Sequence, residues 1–217
     1  MPKLDTVFFD MDGLMFDTES LYFKSNQITL EKMGYDYTIN HYQEVIGKSG
    51  DDFIEKMLEV VQTKEAYDYF IKTADAYFLK YIKENPVEAK KGLYDLIKYL
   101  DRIGAKKSIV SSSNSNVIDV LLEKANLSNG FDYVISADMV THTKPHPEPY
   151  LKALDLGETD SSVVWVLEDS LSGLKSADAA GLRKILIPDL LVVDEESRKI
   201  ADYIMDDLHE VKEFFKQ

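Results

Sequence analysis

Thr6-Val7-Phe8-Phe9-Asp10-Met11-Asp12-Gly13 is the stretch whose reading decides the fold. Val7 to Phe9 are bulky and apolar with no polar alternation, the pattern of a strand covered on both faces, and the run is cut short by two acids and a glycine. Three further runs share this form. Ser108-Ile109-Val110 precedes a serine-rich turn, Tyr133-Val134-Ile135 precedes Ser136, and Val163-Val164-Trp165-Val166-Leu167 precedes Glu168-Asp169. A fifth, Ile185-Leu186-Ile187, is ended by Pro188. Between them apolar residues fall at helical spacing, as in Leu93, Leu96, Ile97 and Leu100, or Val117, Val120, Leu121 and Ala125. Strands alternating with helices give an α/β fold, a Rossmann-like parallel sheet with helices on both faces.

One segment breaks the alternation. From Glu19 to Val87 strand-like runs disappear, while Leu, Lys, Glu, Met and Tyr recur at helical intervals, punctuated by Gly34, Gly47 and Gly50. The expected organisation is a sheet core of residues 1–18 and 88–217 with an inserted α-helical cap domain of residues 19–87. Asn85-Pro86 makes the return, since proline restricts the residue before it.

The whole-chain properties narrow the function. Of the 217 residues 45% are hydrophobic and 29% charged, the balance of a folded globular protein rather than a disordered one. A formal net charge of -14 repels polyanions, and the basic residues offer only the doublets Lys90-Lys91 and Lys106-Lys107, so no nucleic-acid partner is expected. The absence of cysteine excludes disulfides, thiolate metal sites and a catalytic thiol. No apolar run approaches the roughly 18 residues that span a bilayer, so no membrane partner and a cytoplasmic location are expected. Nothing demands more than a monomer.

In open parallel sheets ligands collect beyond the carboxyl ends of the strands, so the polar residues that close the apolar runs carry the chemistry. These are Asp10 and Asp12, then Ser111, Ser112, Ser113 and Asn114, then Glu168 and Asp169. Lys144 follows the third run within Thr143-Lys144-Pro145-His146-Pro147. Four carboxylates cannot share a crevice uncompensated, because like charges drive one another toward protonation. A hard divalent cation resolves this. Mg2+ suits oxygen ligands combined with water and a substrate phosphate, and a phosphate in turn explains a lysine and a hydroxyl at the same place.

These residues, in this order, resemble the four motifs of the haloacid dehalogenase superfamily: Asp10-Met11-Asp12-Gly13, Ser112, Lys144, and Glu168-Asp169. Asp17-Thr18-Glu19, Lys144-Pro145-His146-Pro147-Glu148-Pro149-Tyr150 and Glu168-Asp169-Ser170-Leu171-Ser172-Gly173 extend the likeness to the subgroup with a small helical cap, which holds beta-phosphoglucomutase and many sugar-phosphate phosphatases. The resemblance implies that Asp10 is the nucleophile, Asp12 the general acid and base, and Ser112 and Lys144 the groups that hold the phosphoryl oxygens. It implies Mg2+ bound by Asp10, the Asp12 backbone carbonyl, Asp169 and Glu168. Gly13, Ser113 and Asn114, with Tyr22 and Lys48 from the cap, are the expected substrate contacts.

The expected activity is Mg2+-dependent hydrolysis of a small phosphorylated metabolite, a sugar phosphate, through an aspartyl-phosphate. Two alternatives stand beside it: a phosphosugar mutase and a catalytically silent phosphometabolite sensor. Tyr22 stands where the mutase carries a histidine, and Gly50 where its cap loop carries an arginine, so both departures favour water as acceptor. A dehalogenase would not need the metal-holding acids, and a phosphonate hydrolase would need a cap lysine that no local signature picks out. The presence of Asp10 and Asp12 argues against the silent sensor. The four histidines follow no shared metal-ligand spacing and are read as surface or packing residues.

Overall fold

The computed structural model describes residues 4–46, 50–189 and 193–217, so Lys48 lies outside the described residues. The chain divides into two compact units, Met1–Asp17 with Val87–Gln217, and Thr18–Pro86.

The second unit is helical: α1 (Thr18–Lys32), α2 (Ile39–Val45), α3 (Gly50–Val61) and α4 (Lys64–Glu84). Its own core gathers Leu30, Tyr37, Tyr42, Met57, Val61 and Phe70. Thr38 and Thr63 cap α2 and α4 by accepting the backbone N–H of His41 and Ala66, which satisfies donors the helices cannot satisfy themselves.

The first unit is a parallel sheet of β1 (Thr6–Phe9), β2 (Lys106–Val110), β3 (Tyr133–Ile135), β4 (Val164–Glu168), β5 (Arg183–Leu186) and β6 (Tyr203–Ile204). The order is β3-β2-β1-β4-β5-β6, and every pairing is parallel. Helices α5 (Leu93–Ile103), α6 (Ser115–Lys124), α7 (Glu148–Leu156), α8 (Leu171–Ala179), α9 (Glu195–Ile200) and α10 (Leu208–Phe215) complete it. The α/β architecture is the one the apolar runs imply.

All four residues of β1 are fully buried, because the strand lies between β2 and β4 with helices on both faces. Phe8 and Phe9 alone contribute about 1.5–3 kcal/mol each by leaving water. Trp165 of β4 packs edge-on against Phe214 of α10, with ring centroids 5.6 Å apart. The strand order matters for function: β1 and β2 step toward one edge, whereas β4 begins on the other side of β1. Connections from β1 and β4 therefore diverge and leave a crevice at their carboxyl ends.

Just beyond β1 the chain turns back on itself. The Met15 and Phe16 N–H groups donate to the Met11 carbonyl, Phe16 pairs antiparallel with Ala89, and the Asp17 N–H donates to the Glu88 carbonyl at 3.0 Å. The segments that leave the sheet and return to it thus run side by side. Among the described residues no helix is long and apolar enough to cross a membrane.

Candidate active site

Asp10 is placed by the strand ladder itself. Its N–H donates to the Leu167 carbonyl at 2.9 Å, which carries the β1–β4 pairing one residue past β1 and delivers the side chain into the crevice. Lys144 comes from the loop between β3 and α7, and its Nζ reaches Asp10 Oδ1 at 2.6 Å, Glu168 Oε1 at 2.6 Å and the Val110 carbonyl at 2.7 Å. Three acceptors at these distances use all three ammonium donors. Glu168 is fully buried at the end of β4, where Tyr150 also donates to Oε1 at 2.6 Å and Ser170 to Oε2 at 3.3 Å. Tyr150 had no place in the sequence reading beyond its motif; its burial and its carboxylate partner only become visible once α7 is laid against β4.

Asp12 Oδ2 accepts from Ser111 Oγ at 3.1 Å and from Ser113 Oγ at 2.8 Å, while the Ser113 N–H donates to Ser111 Oγ at 2.9 Å. This differs from the expectation for Ser112, which is exposed. The Ser111 N–H still bonds to the Ile135 carbonyl at 3.0 Å, so the strand continues through Ser111 and its alternation turns Ser111 inward and Ser112 outward. Ser111 and Ser113, and not Ser112, are the serines that meet Asp12. Asn114 is the exposed residue that precedes α6.

Two glycines allow groups to approach closely. Gly13 has a φ of +78°, and a Cβ there would meet Asp169 Oδ2 at 2.2 Å. A Cβ at Gly173, in the first turn of α8, would lie 1.9 Å from the Glu168 carboxylate. Since Lys144, Tyr150 and Ser170 all hold that carboxylate, it could not swing aside, and Gly173 is there for space.

Asp189, a residue not singled out in the sequence, follows β5 and also crowds Gly13, with Oδ2 at 3.2 Å from the same notional Cβ. Lys90 pairs with Asp189 Oδ1, and Asp189 Oδ2 is buried without a hydrogen-bond partner among the described residues. Tyr22 belongs to the helical unit, where it stacks on Phe78 with ring centroids 3.8 Å apart and planes 5° from parallel.

Electrostatics follow from this packing. Burial pushes the Asp10 carboxyl well above the usual carboxylate range; Lys144 opposes that shift, and Glu168 and Asp12 add to it. Burial by itself would depress Lys144, yet the Asp10 and Glu168 carboxylates outweigh it and hold the ammonium above the usual lysine range. Acids outnumber bases at this place. Asp10, Glu168 and Asp169 each offer an oxygen within 4.8 Å of the others, a hard donor set that fits a small divalent cation better than any softer metal.

The sequence pattern of the haloacid dehalogenase-like hydrolases matches residues 7–187, from β1 through the end of β5. The chain belongs to that family. A phosphorylated carbohydrates phosphatase from Thermotoga maritima is 28% identical over 186 residues, 84% of either chain. The putative pyrophosphatase PpaX of Caldanaerobacter subterraneus is 26% identical over 216 residues, 99% of this chain and 96% of its own. The crystal structure of CbbY from Rhodobacter sphaeroides in complex with phosphate superposes with a TM-score of 0.82 at 26% identity, covering 96% of each chain. Among haloacid dehalogenase-like hydrolases this chain is thus an enzyme of the phosphatase kind. The crevice described above is the part of the family fold in which its acids, lysine and serines meet.

Proposed function

We propose that the protein is a Mg2+-dependent phosphatase of small phosphorylated metabolites, sugar phosphates first among them, working through an aspartyl-phosphate on Asp10. The observation that carries this reading is the triple contact of the Lys144 ammonium, which holds Asp10 and Glu168 together at 2.6 Å each beside Asp12. A buried carboxylate tied by one oxygen to a fixed cation is oriented, and its other oxygen can attack phosphorus.

In the first step an Asp10 oxygen bonds to phosphorus, the ester P–O bond breaks, and Asp12 gives its proton to the departing alkoxide. In the second, Asp12 takes a proton from water as that water attacks phosphorus, and the P–O bond to Asp10 breaks to release phosphate. Ser111 and Ser113 fix Asp12 through Oδ2, so its proton is delivered from one orientation. Lys144 stays charged throughout and offsets negative charge on Asp10 and on the phosphoryl oxygens.

Asp10, Asp169 and the Asp12 carbonyl would hold Mg2+, with Glu168, whose Oε1 is taken by Lys144 and Tyr150, contributing through Oε2. When bound, the ion would neutralise the acids and polarise the transferring phosphoryl group. Two of the relatives support the substrate class: one is named for phosphorylated carbohydrates, and another holds phosphate in its crystal. Tyr22, packed on Phe78, supplies a ring for the helical core and no imidazole, which favours water over a second sugar hydroxyl as acceptor.

The direct test is phosphate release from a panel of sugar phosphates, other monoesters and pyrophosphate. Release is expected from at least one sugar phosphate with Mg2+ and none with chelator. Turnover that survives chelation would remove the metal from the reaction, and silence across the panel would remove the phosphatase reading. A second expectation separates neighbouring serines. Ser111→Ala should lower kcat/KM by about a hundredfold, the order seen for loss of one preorganised donor, while Ser112→Ala stays within about twofold. Equal effects would mean that the strand phase does not decide which serine matters.

A further inference from the structure

The loop between β3 and α7 gathers a second set of donors outside the carboxylate crevice. His142 and His146 stand two residues to either side of Lys144, and Glu148 opens α7. His142 Nδ1 lies 3.0 Å from Glu148 Oε2, and His146 Nδ1 lies 4.0 Å from the same oxygen. The two imidazole rings are 4.6 Å apart, and one nitrogen from each ring and one Glu148 oxygen all fall within 4.8 Å of one another.

The loop holds these groups in place. The His146 N–H donates to the Thr143 carbonyl at 3.0 Å, and Ser176 Oγ on α8 donates to the His146 carbonyl at 2.7 Å. Glu148 accepts from the Thr141 N–H at 2.7 Å and the His142 N–H at 3.0 Å. Those backbone donors, the Thr141 N–H first, hold the Glu148 carboxyl down at about 2, so it is anionic at any working pH. The rings are held there too: His142 Nδ1 meets Glu148 Oε2 at 3.0 Å, and His146 Nδ1 accepts from the Glu148 N–H at 3.2 Å.

We propose that His142, His146 and Glu148 form a binding site for a borderline transition-metal ion, Zn2+ or a first-row neighbour, separate from the oxygen-only crevice. Two imidazoles and one carboxylate suit such ions and not Mg2+, which prefers oxygen. Metal–nitrogen bonds of about 2.0–2.1 Å place neighbouring donors about 3.3 Å apart. His142 and Glu148 already stand at that spacing, and His146, half exposed, closes the remainder by turning its ring, giving up the bond that its Nδ1 accepts from the Glu148 N–H. A bound ion would join the two sides of the loop that has Lys144 at its middle. It would touch no reacting atom.

The chain has four histidines, which makes the site directly readable. Tag-free, 15N-labelled protein with Mg2+ in excess is titrated with Zn2+ while the imidazole resonances are followed by NMR. Saturable shifts at one equivalent are expected for His142 and His146, with His41 and His209 unmoved. His142→Gln should weaken Zn2+ binding at least about tenfold, since loss of even an outer partner of a metal ligand costs that much. Like responses from all four histidines, or unchanged affinity in the His142→Gln, His146→Gln double variant, would overturn the proposal. Because the readout is binding and not turnover, failure of the phosphatase reading would leave this result standing.

Discussion

Replacing Lys144 by methionine is expected to cost about 3–5 kcal/mol of stability and to abolish turnover, because the change strands two buried carboxylates without their cation. The Lys144 side chain is 4% exposed and its partners Asp10 and Glu168 are 9% and 0% exposed, so water cannot take over the role of the ammonium. The deficit should depend on pH in a defined direction. Burial already holds the Asp10 carboxyl above its usual range, and removing Lys144 takes away the group that opposes that shift. Between the unfolded carboxylate value of about 4 and that raised folded value, the native variant holds a proton that the unfolded chain has lost. Stability of the variant then falls as pH rises through this window, and below about pH 4 the difference from wild type closes. Urea unfolding followed by the fluorescence of Trp165, the single tryptophan and a residue of β4, reads the sheet unit directly. A deficit under about 1 kcal/mol, or one that does not change with pH, would show that the carboxylates are relieved by some other means.

Asp10→Asn should behave in the opposite way, with the fold intact and the chemistry gone. Asparagine keeps the shape and removes a buried charge, and Lys144 retains Glu168 and the Val110 carbonyl as partners. Turnover should drop at least about ten-thousandfold, the scale seen when a nucleophile is removed, while substrate still binds. Acid quench of the wild-type enzyme during turnover of a radiolabelled substrate should leave hydroxylamine-labile label on the protein, and the variant should carry none. Residual turnover above about one per cent of wild type would mean that Asp10 does not form the covalent bond.

Much of this was readable in the chain, for particular reasons. β1 and β4 announce themselves because each is a continuous apolar run cut off by acids, and the same acids mark the crevice. β2 and β5 start earlier than their apolar residues suggest. Lys107 and Lys184 lie buried in them, each neutralised by an aspartate, Asp101 and Asp178 respectively, from elsewhere in the chain. β6 is two exposed residues at the sheet edge, too short for any periodicity to register. Ser111-Ser112-Ser113 repeats one residue type, so composition carries no phase; only the Ser111 N–H bond to Ile135 tells which serine faces inward. Asp189 and the histidine pair depend on turns that bring separate positions together, and no spacing rule anticipates a turn through Lys144-Pro145.

The pairing of Phe16 with Ala89 has a consequence for how such a protein can change. With its two ends zipped together, the helical insertion is, to the sheet, one closed loop, and lengthening a closed loop costs little: about 0.6 kcal/mol for each doubling. The chemistry at the strand ends is thereby insulated from whatever grows out of that loop. Insertions, deletions and wholesale exchanges between the zipped ends can be sampled by descent without retuning the strands that carry Asp10 and Glu168, so a lineage built on this frame is free to rebuild its helical unit while keeping its sheet.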